Sequence, residues 1–136
     1  MRFLLLLIAL SATACSKSGP SLPSVERKSV EYMSALAAGD FARIDSFYVP
    51  QFYKTTPKEG WQQELREIAV RLGARTSFKL RNKRKDTRFS GIFYFFQYDV
   101  EYEKGYAKEL VTFFIPVEDD EQIGVVAHKI DPRPNP

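Results

Sequence analysis

The chain has one cysteine, one histidine and one tryptophan among its 136 residues, and only seven glycines. A lone cysteine excludes an intramolecular disulfide and any paired C-x-x-C metal or redox motif. With a single histidine as well, an ordinary zinc site is excluded, and no metal or cofactor is expected. No G-x-G-x-x-G, P-loop, G-x-S-x-G or H-E-x-x-H motif occurs, which removes the common nucleotide, hydrolase and metalloprotease chemistries. No apolar run approaches the roughly 20 residues of a spanning helix. Charge of one sign is scarce too: the formal net charge is +3, one unit less without Arg2, too mild to imply a nucleic-acid partner.

What is present begins at the N-terminus. Arg2 precedes an apolar run over residues 3–10, and small residues lead to Cys15. These are the charged, apolar and cleavage regions of an export signal. Small residues followed directly by cysteine resemble a bacterial lipobox, with Ala12 where that motif usually carries leucine. The resemblance implies a signal peptide over residues 1–14 and acylation of Cys15, which becomes the mature N-terminus and ties the chain to a membrane. An exposed thiol would be a liability in an oxidising compartment, which favours the acylated reading over a free thiol and leaves no Cys–His catalytic pair. By resemblance to the lipoproteins of two-membraned bacteria, Ser16 after the cysteine implies the outer membrane, facing the periplasm, if the host has two membranes.

Residues 15–23 read as the lipidated cysteine and a polar linker containing Gly19, Pro20 and Pro23. As a flexible coil the linker reaches ~15 Å, which keeps the domain near the bilayer. Roughly 120 residues follow the signal, enough for one domain. Their 44% hydrophobic and 14% aromatic content can build a core by packing alone.

Ser24 is a plausible N-cap for a first helix whose Val25, Tyr32 and Leu36 recur at helical spacing, with Gly39 as its stop. Asp40 can cap a short second helix through Phe41, Ile44, Phe47 and Tyr48. Thr56, Pro57 and Glu59 have the form of a capping box, and Trp61, Leu65, Ile68 and Leu72 then share one helical face. From Arg75 the period changes to two, and four strands follow, with turns near residues 86–91, 103–105 and 118–122. In the second strand Ile92, Tyr94, Phe96, Tyr98, Val100 and Tyr102 share a face. Phe93 and Phe95 make its first half apolar on both sides, which predicts cover by the chain's own elements or a second subunit. Residues 132–136, DPRPNP with its aspartate removed, read as a disordered tail because alternate prolines do not continue a ladder. The fold class is α+β: three N-terminal helices on a curved antiparallel sheet of about four strands, cone-like.

The stretch ALAAGDFARIDSFYVPQF, the Trp61 helix with its closing Leu72-Gly73, and the long strands together resemble the nuclear transport factor 2-like (cystatin-like cone) superfamily over residues 24–131. That superfamily holds isomerases, dehydratases, binding domains and assembly modules, so the resemblance implies a fold and leaves the function open. For a pocket enzyme of isomerase or dehydratase type the candidate proton-moving residues are His128, Asp99 and a tyrosine, Tyr98, Tyr94 or Tyr32. Strand parity places Asp99 opposite the aromatic face. Lys79, Arg81, Lys83 and Lys85 share a face if the strand is regular, and form a candidate contact for an anionic surface; the plainer reading is a charged edge strand that discourages pairing. The favoured function is a non-catalytic binding or interaction module of the cell envelope, with an envelope protein or a second copy as partner. An apolar-ligand carrier is a further alternative. A filled interior with an exposed aromatic sheet face favours a protein partner, whereas His128, Asp99 and a tyrosine meeting in one cavity favours an enzyme.

Overall fold

The computed structural model describes residues 19–119 and 121–136. Cys15 and the signal region lie outside the described residues. The helices are α1 (Leu22–Ala38), α2 (Phe41–Asp45), α3 (Phe52–Thr55) and α4 (Lys58–Leu72). The strands are β1 (Arg75–Arg88), β2 (Gly91–Tyr102), β3 (Gly105–Pro116) and β4 (Gly124–Pro134). They form one antiparallel sheet in the order β1-β2-β3-β4, so the chain is α+β with every strand beside its sequence neighbour.

The helix ends depart from expectation in instructive ways. α1 starts at Leu22, with Ser21 as its cap and Pro23 in the first turn, so the last two residues of the expected 15–23 linker are helical. Pro23 suits that place because the first-turn N–H groups have no intrahelical partner. Gly39 ends α1 in the left-handed conformation at φ 65°, and the Asp40 side chain accepts from Arg43 N–H at 3.1 Å to start α2. Thr56 does not cap α4: Pro57 occupies the cap position and no side chain closes it. A single turn, α3, intervenes where no separate helix was expected.

Helical spacing still sets what is buried. Val25, Ser29, Tyr32, Met33, Ala35 and Leu36 form the inner side of α1, and Trp61, Leu65, Ile68 and Leu72 that of α4. They meet an inner sheet face built by Tyr94, Phe96, Tyr98, Val100 and Tyr102 of β2 with Ala107, Val111, Phe113 and Ile115 of β3. After α2 the chain pairs briefly with β4: Val49 N–H donates to Val125 C=O at 3.1 Å and Val125 N–H to Phe47 C=O at 2.7 Å.

Two strands correct the sequence expectation. In β1 the register shifts between Leu80 and Asn82, so Lys79 pairs with Asp99 but Lys83 pairs with Phe96 and Lys85 with Tyr94. One residue consumed by a bulge reverses parity, so Lys79, Arg81, Lys83 and Lys85 do not share a face. At the other edge β4 runs on to Pro134, with Pro132 paired to Ala107 and Pro134 to Gly105. Residues 132–134 are thus strand and not a disordered tail. β4 is an edge strand, and alternate residues turn their N–H sites away from the ladder; Asn135 N–H, in the other phase, donates to Lys104 C=O at 3.1 Å. Prolines at 132 and 134 therefore remove donors that had no partner.

Candidate functional site

The most concentrated chemistry lies inside, under the helices. Glu109 is on the inner face of β3, in phase with Ala107 and Val111, and its side chain is 0% exposed. His128 Nε2 lies 2.7 Å from Glu109 Oε2, Tyr102 O–H donates to Oε1 at 2.6 Å, and Arg75 Nη2 donates to Oε1 at 3.2 Å. Arg75 reaches this point from the start of β1, across the Tyr102 ring, with its side chain 8% exposed.

The other histidine nitrogen joins a second arm. Tyr32 Oη is 2.8 Å from His128 Nδ1 and 3.0 Å from Tyr48 Oη, and Trp61 Nε1–H donates to Tyr48 Oη at 2.5 Å. A carboxylate only accepts and an indole only donates, so both ends of the chain are fixed. The arrangement in which every donor is used runs in one direction: Trp61 N–H to Tyr48, Tyr48 O–H to Tyr32, Tyr32 O–H to His128 Nδ1, and His128 Nε2–H to Glu109. In this arrangement Nδ1 accepts and Nε2–H donates, and Arg75 adds its charge beside Glu109.

Burial on its own raises the Glu109 carboxyl, but the hydrogen bond and charge of His128, the Arg75 charge and the Tyr102 hydroxyl outweigh it and hold the group at about 2. Burial raises Tyr32 well above its ordinary value and pushes Tyr48 up to about 12. The carboxylate therefore stays charged and the tyrosines stay protonated near neutral pH. Such a relay fixes side chains firmly; for proton transfer to a substrate it also needs access. Neither His128, Glu109 nor Tyr32 lines the main surface clefts. The nearest, about 200 Å³ between the end of α1 and Gly73, reaches Arg75 and Tyr102 only.

The sequence-named residues separate accordingly. His128 and Tyr32 meet in the relay. Asp99 does not join them: it is on the outer sheet face, paired with Arg81 at 2.6 Å. Tyr98 is inside but bonds elsewhere, to the Ser29 hydroxyl at 2.6 Å, and the Tyr94 hydroxyl is held by the Pro20 carbonyl. Of the basic strand, Lys83 is paired with Glu26 of α1 at 2.6 Å and Lys85 lies 5.8 Å from the Tyr94 ring centre. Lys79 faces outward opposite Asp99. Glu109 and Arg75 were missed. The available signal for Glu109 was its phase: an acidic residue in step with Ala107, Val111 and Phe113 belongs to the buried face. Among the described residues no three His, Cys, Asp or Glu side chains gather to hold a metal.

The outer sheet face is different in kind. The helices pack on the inner face, and Phe93, Phe95 and Leu110 on the other side are left half-exposed or exposed. Phe93 packs against Phe114 with ring centres 4.6 Å apart. The Arg84 guanidinium lies 4.4 Å over the Phe95 ring and that of Arg88 5.0 Å over Phe93. Asp86 receives the Arg88 guanidinium at 2.9 Å, which steadies the arginine above its ring. Aromatic rings and arginines side by side are the composition that binding surfaces favour over ordinary surface.

No family model, curated protein or solved structure matches this chain.

Proposed function

We propose that this chain is a lipid-anchored protein of the cell envelope whose nuclear transport factor 2-like, cone-shaped domain is a non-catalytic interaction module. Its working surface is the outer sheet face, with Phe93, Phe95 and Leu110 at the centre and Arg84 and Arg88 over the rings. One observation carries the reading: among the described residues the side chains of His128 and Glu109 are sealed in a hydrogen-bonded core, while Phe93, Phe95 and Leu110 on the outer sheet face are only partly covered. Stacked arginines bring planar donors to a surface whose rings supply apolar area, a pairing typical of residues that dominate protein binding. A pocket enzyme needs His128 open to a substrate, and an apolar-ligand carrier needs an enclosed volume; the interior supports neither.

The lipid on Cys15 would place the module at the outer membrane of a diderm host. There it would engage an envelope protein or a second copy of itself. Sedimentation equilibrium and photo-crosslinking from residue 95 test the reading together. A dimer dispersed by Phe95→Lys, or a defined crosslinked envelope protein lost with Arg84→Ala, supports it. A monomer that crosslinks to nothing and keeps a small-molecule mass in native mass spectrometry overturns it in favour of ligand carriage.

A further inference from the structure

One end of the domain carries apolar side chains that packing does not explain. The two-residue turn between β1 and β2 puts Phe89 fully in solvent, at 102% exposure, and the loop after β3 leaves Val117 68% exposed. These turns are one surface, because Val117 N–H donates to Ser90 C=O at 3.2 Å. Scattered exposed apolar residues need no explanation, but these two are joined and border a cleft of about 330 Å³ lined by Ile92, Ile115 and Pro116. Gly19 lines that same cleft. The chain therefore enters the domain at this end, and Cys15 lies four residues upstream, within ~14 Å of Gly19 even when fully extended. At the opposite end of the sheet the turn is Glu103-Lys104, both exposed.

We propose that the Phe89–Val117 end of the domain lies on the lipid bilayer, with these two side chains seated at the boundary between headgroups and acyl chains. How the domain reaches the bilayer rests on the lipid-anchor reading above; which end faces it rests on the position of Gly19 and the exposure of Phe89 and Val117. An aromatic ring at that depth exchanges water for acyl contacts. Asp86, which pairs with Arg84 and Arg88, and the acidic residues at 118–121 outnumber Arg84, Lys85 and Arg88, so this end is no polybasic surface. Docking is consequently apolar in character and is not strengthened by anionic lipid. With this end down, the outer sheet face stands upright from the membrane and stays open to a partner.

The test uses the full chain carrying Phe89→Trp, recovered from membranes and placed in phosphatidylethanolamine–phosphatidylglycerol vesicles with brominated acyl chains. Phe89 makes no buried contact, so the variant folds as the parent does. The native Trp61, 3% exposed, serves as the unquenched reference. Expected are a blue shift and at least a twofold loss of the new emission, with no increase in that loss when the anionic lipid fraction is doubled. Emission from vesicle-bound protein that matches emission in detergent-free buffer overturns the docking. Quenching that grows in proportion to anionic lipid overturns its apolar character. Mass spectrometry of the same sample reads Cys15 separately. An acylated mass without quenching leaves the anchor standing and removes the docking, whereas quenching without an acylated mass does the reverse.

Discussion

Glu109 and His128 face each other across β3 and β4, 2.7 Å apart, with both side chains wholly withdrawn from solvent. A carboxylate in that position is tolerated because three donors converge on it and Arg75 supplies the opposite charge. Such a network is strong when complete and costly when broken, since the low-dielectric interior that strengthens each bond also penalises each orphan.

Removing the carboxylate leaves the Arg75 guanidinium nearly buried without its partner. Glu109→Ala is expected to lose ~3–5 kcal/mol of stability, the range for breaking a buried pair. Urea unfolding followed by circular dichroism measures it. A loss below about 1 kcal/mol would show that water replaces the carboxylate and that the pair is not sealed.

Acid should act through the same group. The folded-state value of Glu109 is depressed from 4.5 to about 2, so its contribution is fully present above pH 4.5 and is lost as pH falls towards 2. The contribution is on the order of 3 kcal/mol. The urea midpoint is expected to fall steeply through that window in the parent and less steeply in Glu109→Gln. Superimposable acid profiles would remove Glu109 as the cause.

Tyr32 is the hinge between the two arms of the relay. Tyr32→Phe keeps the ring but deprives Tyr48 of its acceptor and His128 Nδ1 of its donor. The expected loss is ~1–3 kcal/mol. Tyr98→Phe breaks only the bond to Ser29, so thermal melts should rank Tyr32→Phe as the less stable of the two.

Residues 132–134 offer a sharp contrast between readings. Ending the chain after Asp131 removes the strand that covers Gly105, Tyr106 and Ala107. A loss of ~1–2 kcal/mol is expected, within the ordinary range of single structural lesions, together with faster amide exchange along the start of β3. Removal of an unstructured tail would change neither.

Two glycines with positive φ should respond unequally to alanine. At Gly39, φ 65°, an added methyl meets open space, so only the left-handed backbone penalty of about 1–2 kcal/mol applies. At Gly91, φ 149°, it runs into the Ile115 carbonyl and the Phe114 ring. Gly91→Ala should therefore be the more damaging by at least ~1 kcal/mol, as paired chemical denaturation would show.

Much of the scaffold is legible in residue spacing. The faces of α4 and β2 follow from Trp61, Leu65, Ile68 and Leu72 and from Tyr94 to Tyr102 by steps of two, because burial on one side imposes the period. The face of β1 is not legible, because a bulge at Arg81 is a choice of pairing that alternation does not record. Pro132 and Pro134 mislead for a related reason: whether a proline breaks a ladder depends on which edge its nitrogen meets. His128 could be named as a rarity, but its hydrogen-bond partners, Glu109 and Tyr32, come from β3 and α1. Asp99, equally conspicuous as a carboxylate on the aromatic strand, belongs to the opposite face.

The sheet pairs only sequence neighbours, through two tight turns and one loop, so its strands can zip together with little loss of chain entropy. What cannot form locally is the link to α1: Tyr32 and His128 are 96 residues apart, and Ser29 and Tyr98 are 69 apart. The expected order of folding is a sheet that assembles early and a polar latch that closes late. In a chevron this order reads as Tyr32→Phe accelerating unfolding while leaving the refolding limb nearly in place. On that outcome the buried relay is what sets how long the molecule stays shut.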